Sequence, residues 1–213
     1  MNNVAKISRI ALQSGAIRLN PENPFTWASG YKMPIYNDNR LLLGKAEHRS
    51  FIAEIFESFA EKYVEKLDVI AGTATAGIPH ATSLADRLKK PLIYVRASEK
   101  NHGMGNQIEG PLEQGQNVLV IEDLISTGGS AINAVNAIRK AGGIVKHCFC
   151  IFSYGFPEAG IRFDEINCQF HSILTFPDLL KKAESMKMLS NDQIESLAAW
   201  HRDPFKWGET KGF

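Results

Sequence analysis

The sequence predicts an α/β protein with a mostly parallel central sheet, helices on both faces and a small N-terminal cap. Three observations lead there. From residue 45 onward, helical and strand-like segments alternate; the first 44 residues differ in character; and 213 residues with 44% apolar content suffice for one substantial core. A single domain over residues 1–213 is expected, with residues 1–44 contributing most of the cap, or hood.

The cap opens with a short helix and continues as GAIRLNPENPFTWASGYKMPIYNDNR, rich in aromatics, Pro, Gly and Asn. The stretch KAEHRSFIAEIFESFAEKYVEKL follows, in which Phe51, Ile55, Phe59 and Tyr63 recur at a helical spacing, so an amphipathic helix is predicted across it. Next come a strand in DVIAGTATAG, a helix around IPHATSLADRLKK, a strand in PLIYVRAS, a polar loop, a strand entering VLVIEDLISTGGS, and a helix to about Ala141. IVKHCFCIFSYG and CQFHSILTF read as strands. Helices are predicted near PDLLKKAESM and NDQIESLAAWHRD, the latter capped by Asn191 or Ser190. The final HRDPFKWGETKGF either docks through Trp207 and Phe213 or trails as a tail.

Charge excludes several partners. Twenty-four basic against 23 acidic residues leave a formal +1, so no general pull toward nucleic acid or an anionic membrane is expected, and anion binding must be local. The N-terminus is unlike a secretory signal, no apolar run approaches the roughly 18 residues of a membrane span, and a cytoplasmic protein is expected. Cys148, Cys150 and Cys168 lack metal-ligand spacing and read as buried, reduced thiols.

The most informative segment is Val118 to Ser130, VLVIEDLISTGGS. Glycines let backbone amides crowd an anion, the hydroxyls of Thr127 and Ser130 add donors, and a following helix N-terminus favours negative charge. Ser126, Thr127, Gly128, Gly129 and Ser130 therefore suit a phosphate. Glu122 and Asp123 would repel one, but they accept hydrogen bonds from vicinal hydroxyls, so a phosphorylated ribose satisfies both halves. The polar segment Arg96 to Gly110 reads either as a solvated loop or as a lid bringing Arg96, Lys100 and His102 to a highly charged substrate. GTATAG at 72–77 is either a plain strand-to-helix turn or one whose amides face an anion. Phe25, Trp27, Tyr31 and Tyr36 are either core aromatics or walls for a flat ring.

The segments FTWASGYKMPIYNDNR, IAGTATAGIPHA, YVRASEKNHGMGNQIEG and VLVIEDLISTGGSA stand in an order and spacing that resembles bacterial orotate phosphoribosyltransferases, of the type I phosphoribosyltransferase family. The resemblance implies transfer of a phosphoribosyl group from phosphoribosyl pyrophosphate to orotate, in pyrimidine biosynthesis. It implies that Glu122 and Asp123 bind the ribose hydroxyls, that Leu124 and Ile125 belong to the same motif, that Ser126 to Ser130 cradle the 5-phosphate, and that Ser126 also lies near orotate. It makes Thr73, Ala74 and Thr75 part of a pyrophosphate loop, often with a strained peptide bond. It assigns the leaving group to Arg96, Lys100 and His102, with Lys100 and His102 mattering most to turnover. It further implies Mg²⁺ held mainly by the substrate rather than by a protein-built metal site, and a homodimer with shared active sites.

The sequence departs from the family at four positions. Ala97 and Ala76 replace lysines found in some relatives, Ala28 replaces an orotate-facing lysine, and an arginine found near Tyr154 is missing. Lys32 is a candidate substitute for the last two. A purine or uracil phosphoribosyltransferase would share the ribose-phosphate site, but the cap segment argues against it. A regulator that binds phosphoribosyl pyrophosphate would need a basic surface or an added domain.

Overall fold

The computed structural model describes residues 3–27, 29–98 and 107–213. They form two compact units, one drawn from residues 1–44 and 174–213, the other from 45–173. Among the described residues, no helix is long and apolar enough to cross a membrane.

In chain order, the first segment holds α1 (Asn3–Gln13), β1 (Ile17–Leu19), β2 (Phe25–Thr26), β3 (Lys32–Met33) and β4 (Ile35–Asn37), followed by a 3₁₀ turn at Asn39–Gly44. The middle holds α2 (Ala46–Ala60), β5 (Val69–Thr73), α3 (Gly77–Leu88), β6 (Leu92–Val95), β7 (Ile108–Glu109), β8 (Asn117–Ile125), α4 (Gly129–Lys140), β9 (Ile144–Ser153), α5 (Pro157–Glu165) and β10 (Gln169–Thr175). The chain closes with α6 (Phe176–Ser185), α7 (Asn191–Arg202) and α8 (Trp207–Thr210).

In the larger unit, six strands run in the order β10, β9, β8, β5, β6, β7. β6, β5, β8 and β9 pair in parallel, and only β7 is shown running against its neighbour. The expected mostly parallel sheet is present, and alternation along its strands assigns each face to different helices. Val69 and Ala71 of β5, Val118 and Val120 of β8, and Cys148 and Cys150 of β9 pack with Ala131, Val135 and Ile138 of α4 and Phe163 of α5. On the opposite face, Gly72 meets Ile78 and Ala81 of α3, and Phe149 stacks on Phe56 of α2 with ring centroids 6.1 Å apart. The three cysteines are free and buried, and burial pushes their thiols up, Cys168 to about 11.

Two expectations need correction. The helix expected from Lys45 to Leu67 ends at Ala60, and the chain then forms a 3₁₀ turn at Val64–Lys66. Tyr63 therefore leaves the apolar helical stripe and stacks on His147, with centroids 4.0 Å apart. The segment after Gly155 contains a helix, α5, that the apolar pattern did not reveal; Pro157 occupies its first turn, where a missing N–H costs nothing.

In the smaller unit, β1 pairs with β4 and β2 with β3 as two antiparallel ribbons. The guanidinium of Arg18 lies over the rings of Tyr36 and Phe25, and the Trp27 indole donates to the Ile35 carbonyl at 2.9 Å. α7 begins with a full capping box: the Ser190 hydroxyl accepts from the Gln193 amide, and the Gln193 side chain accepts from Ser190. The C-terminal segment docks rather than trails. Trp207 is 2% exposed and stacks on Phe213, while Phe205 meets Tyr31 edge-on at 5.2 Å.

Candidate active site

The parallel strands β5, β6 and β8 end side by side, and their carboxyl ends are where such sheets present ligand-binding loops. β5 delivers the Thr73–Thr75 turn, β6 delivers Arg96, and β8 delivers Glu122, Asp123 and the turn to Ser130. The three are joined by hydrogen bonds. The Ala74 amide donates to the Val95 carbonyl at 2.8 Å, and the Thr73 hydroxyl donates to the Ile121 carbonyl at 3.2 Å.

Gly77 makes this closeness possible. A Cβ built there would lie 2.5 Å from the Thr73 hydroxyl oxygen and nearer still to the Ile121 carbonyl oxygen, so only glycine lets α3 start against β8. The Ala74–Thr75 peptide is cis.

A cavity of 170 Å³ opens between these parts, lined by Thr73, Ala74, Arg96, Ala97 and Ser130 together with Gln107 and Asn133. Residues predicted from three separated segments thus meet at one hollow. Gln107 and Asn133 were not among the predicted site residues. Asn133 follows Ser130 by three positions in α4, so helical spacing could have found it; Gln107 closes the root of the polar loop. The Arg96 amide donates to the Gln107 carbonyl at 2.9 Å, and the Gln107 side-chain amide donates to the Arg96 carbonyl at 2.8 Å. Arg96 also lies 3.8 Å from Glu109, a loose and half-exposed pair worth little by itself. Lys100, His102 and Ala28 lie outside the described residues.

The acidic pair has distinct environments. Glu122 is 5% exposed, and its carboxylate accepts from the Asp123 amide at 2.9 Å. Burial first, then the hydrogen bond and charge of Asp123, push the Glu122 carboxyl up to about 8, against a smaller opposing pull from the Thr73 hydroxyl. A carboxyl held in this way is ready to exchange hydrogen bonds with neutral hydroxyls. Asp123 is half-exposed.

Leu124 pairs with Phe152 across the sheet and is half-buried, whereas the Ile125 side chain belongs to the core at 1% exposure. Ile125 therefore contributes backbone placement to the motif. Beyond it, Ser126 and Thr127 are half-exposed, and Gly128 sits at φ 84°, a left-handed conformation that turns the chain into α4. Among the described residues, the Thr127, Gly128 and Gly129 amides donate no backbone hydrogen bond. Those donors suit an anion at a helix start.

Tyr154 is a buried core aromatic, stacked on Phe156 and edge-on to Phe152, and burial raises its hydroxyl well above the usual range. The Lys32 ammonium donates to the Thr26 hydroxyl at 2.9 Å within the β2–β3 ribbon. Among the described residues, no three His, Cys, Asp or Glu side chains converge in the manner of a metal site.

Comparison with known proteins identifies the family. Residues 39–173 match the phosphoribosyl transferase domain family. The chain is 47% identical over 199 residues to an orotate phosphoribosyltransferase of Bacillus pumilus, covering 93% of this chain and 94% of that protein. It is 45% identical over 207 residues to the orotate phosphoribosyltransferase of Listeria innocua, covering 96% and 98%. Among solved structures, it is similar to orotate phosphoribosyltransferase from Aeropyrum pernix, with a TM-score of 0.75 and 27% identity over 86% of this chain and 99% of that one.

Proposed function

This chain belongs to the orotate phosphoribosyltransferases, within the type I phosphoribosyltransferase family, and from that premise we propose that the Thr73–Thr75 turn, Arg96 and the Glu122–Ser130 segment carry out its chemistry. The reaction transfers the phosphoribosyl group of phosphoribosyl pyrophosphate to orotate, giving orotidine 5'-phosphate and pyrophosphate in pyrimidine biosynthesis. The observation that carries the site assignment is the cavity shared by Thr73, Ala74, Arg96 and Ser130, since these residues reach it from three separate segments of the chain.

Each part then has a task. Glu122 and Asp123 accept hydrogen bonds from the ribose hydroxyls, and the amides and hydroxyls of Ser126 to Ser130 hold the 5-phosphate. The Thr73–Thr75 turn and Arg96 meet the pyrophosphate, joined by Lys100 and His102 of the polar loop as it closes and excludes water. Ser126 also lies near the orotate ring. Orotate nitrogen arrives at the anomeric carbon as pyrophosphate leaves from the opposite face, through an oxocarbenium-like transition state. The protein's work is alignment and stabilisation of charge on the leaving group.

Magnesium fits this donor set: Glu122 and Asp123 would offer hard oxygens to the hydration shell of an ion carried mainly by the substrate, and the ion would supply positive charge to offset that of pyrophosphate. A cytoplasmic homodimer whose polar loops serve each other's sites completes the proposal, and sedimentation of the purified chain tests the dimer.

Ultraviolet absorbance tests the assignment of the site. Protein mixed with phosphoribosyl pyrophosphate and Mg²⁺ should convert orotate and leave uracil, hypoxanthine and adenine unchanged. Asp123→Asn should lower kcat/KM for phosphoribosyl pyrophosphate, and an unchanged value would remove the acidic pair from the site.

A further inference from the structure

The phosphate turn is gripped from below by two consecutive residues of α5. The Arg162 guanidinium donates from Nη1 to the Thr127 carbonyl at 3.0 Å, and a Cβ at Gly129 would lie 3.9 Å from the same nitrogen. Next to it, the Phe163 ring comes so close beneath Gly128 that a Cβ there would lie 3.0 Å from its Cε2 atom. Phe163 is itself buried and packed on Phe170 at 4.8 Å, so α5 forms a firm floor.

The direction of the Arg162 bond matters. In a trans peptide the carbonyl and the following N–H point opposite ways. Fixing the Thr127 carbonyl toward Arg162 therefore aims the Gly128 amide away from it, and among the described residues that amide, like those of Thr127 and Gly129, has no backbone acceptor. The turn itself, Ser126 to Ser130, contains no cation, and Glu122 and Asp123 stand just before it. A dianionic phosphate there needs positive charge from elsewhere, and a guanidinium one peptide behind the turn supplies it.

We propose that Arg162 is a positioning residue for the 5-phosphate, acting through the Thr127–Gly128 peptide rather than by touching the substrate. This rests on the assignment of Ser126 to Ser130 as the phosphate turn. The substrates separate the role cleanly, because phosphoribosyl pyrophosphate and orotidine 5'-phosphate both carry the 5-phosphate, whereas orotate and pyrophosphate do not.

The test measures all four KM values, in the forward and reverse reactions, for the full-length chain and for Arg162→Met, which keeps the aliphatic stem. KM should rise about tenfold for the two 5-phosphate substrates, the scale of one charge-assisted hydrogen bond, and stay within about twofold for orotate and pyrophosphate. Arg162→Lys should recover part of the loss, and calorimetric binding of ribose 5-phosphate should weaken in parallel. Unchanged KM values for the two phosphate-bearing substrates overturn the proposal, as does an equal rise in all four. If Arg162→Met does not fold, Arg162→Gln and Arg162→Lys are judged by the same pattern. Gly129→Asp separates the two levels of inference, since a Cβ there meets nothing closer than 3.9 Å and the carboxylate brings negative charge into the turn. If it leaves phosphoribosyl pyrophosphate binding intact, the assignment of the turn falls; if it abolishes binding while Arg162→Met changes nothing, only the role of Arg162 falls.

Discussion

Gly77→Ala adds one methyl group where α3 begins, and the structure gives its cost. The new carbon would stand 2.5 Å from the Thr73 hydroxyl and closer to the Ile121 carbonyl, roughly an ångström short of van der Waals contact. Thr73 can rotate away, at the loss of its own hydrogen bond to Ile121. The Ile121 carbonyl belongs to β8, paired on both sides in the middle of the sheet, and cannot yield. α3 must therefore retreat by about an ångström, taking the Thr73–Thr75 turn with it. Overpacking of this kind costs about 1–3 kcal/mol, a fall in Tm of roughly 2–12 °C for a chain of this size. Displacing a substrate-positioning loop by that distance should lower kcat/KM for phosphoribosyl pyrophosphate by about 10²-fold. Calorimetry and the absorbance assay read both effects. The same methyl at Gly160, within α5 and with nothing inside 4 Å, should instead raise stability by about 0.5–1 kcal/mol, as alanine does in an open helix. If the two variants behaved alike, or Gly77→Ala kept native Tm and activity, the close-approach reasoning would be refuted.

Three further outcomes are expected. Because the Glu122 carboxyl is raised from 4.5 to about 8 in the fold, its contribution to stability is fully present below pH 4.5 and is lost as pH rises through about 8; the loss amounts to a few kcal/mol at about 1.4 kcal/mol per unit. Urea midpoints measured without substrate should fall across that window and flatten in Glu122→Gln, and parallel curves for the two proteins would contradict the assignment. Lys100→Ala should lower kcat by about 10²–10³-fold with a smaller effect on KM for phosphoribosyl pyrophosphate; weakened binding with normal turnover would remove Lys100 from the leaving group. Trp207→Ala should cost about 3–5 kcal/mol if the C-terminal segment is docked as its 2% exposure indicates, and an unaltered Tm would show that it is not.

Much of the site was legible because its chemistry is local in the chain. Glu122, Asp123 and the Thr127 to Ser130 turn lie within nine residues, and each residue type has a physical use that survives any surrounding fold. Their convergence with Thr73 and Arg96 was not legible from periodicity, because it depends on β5 lying between β6 and β8, a pairing between distant segments. α5 escaped notice because only Ala159 and Phe163 of its nine residues are buried, too few to raise a helical period above the polar background. Arg162, carried on that helix, was missed with it. The α2 error has the opposite cause: Tyr63 continues the four-residue spacing of Phe51, Ile55 and Phe59, but its ring partner is His147 in the sheet, and tertiary stacking outweighs a helical pattern near its end.

The burial of Cys148, Cys150 and Cys168 gives the protein an internal clock. All three thiols are enclosed and held in their unreactive protonated form, and the thiolate is the species that attacks an alkylating reagent. A maleimide added under native conditions would therefore report how often the sheet opens, not whether a catalytic group is present. Mass spectrometry would resolve which cysteine is labelled first and so whether β10, with Cys168 just before it, frays from the edge before the central strands part.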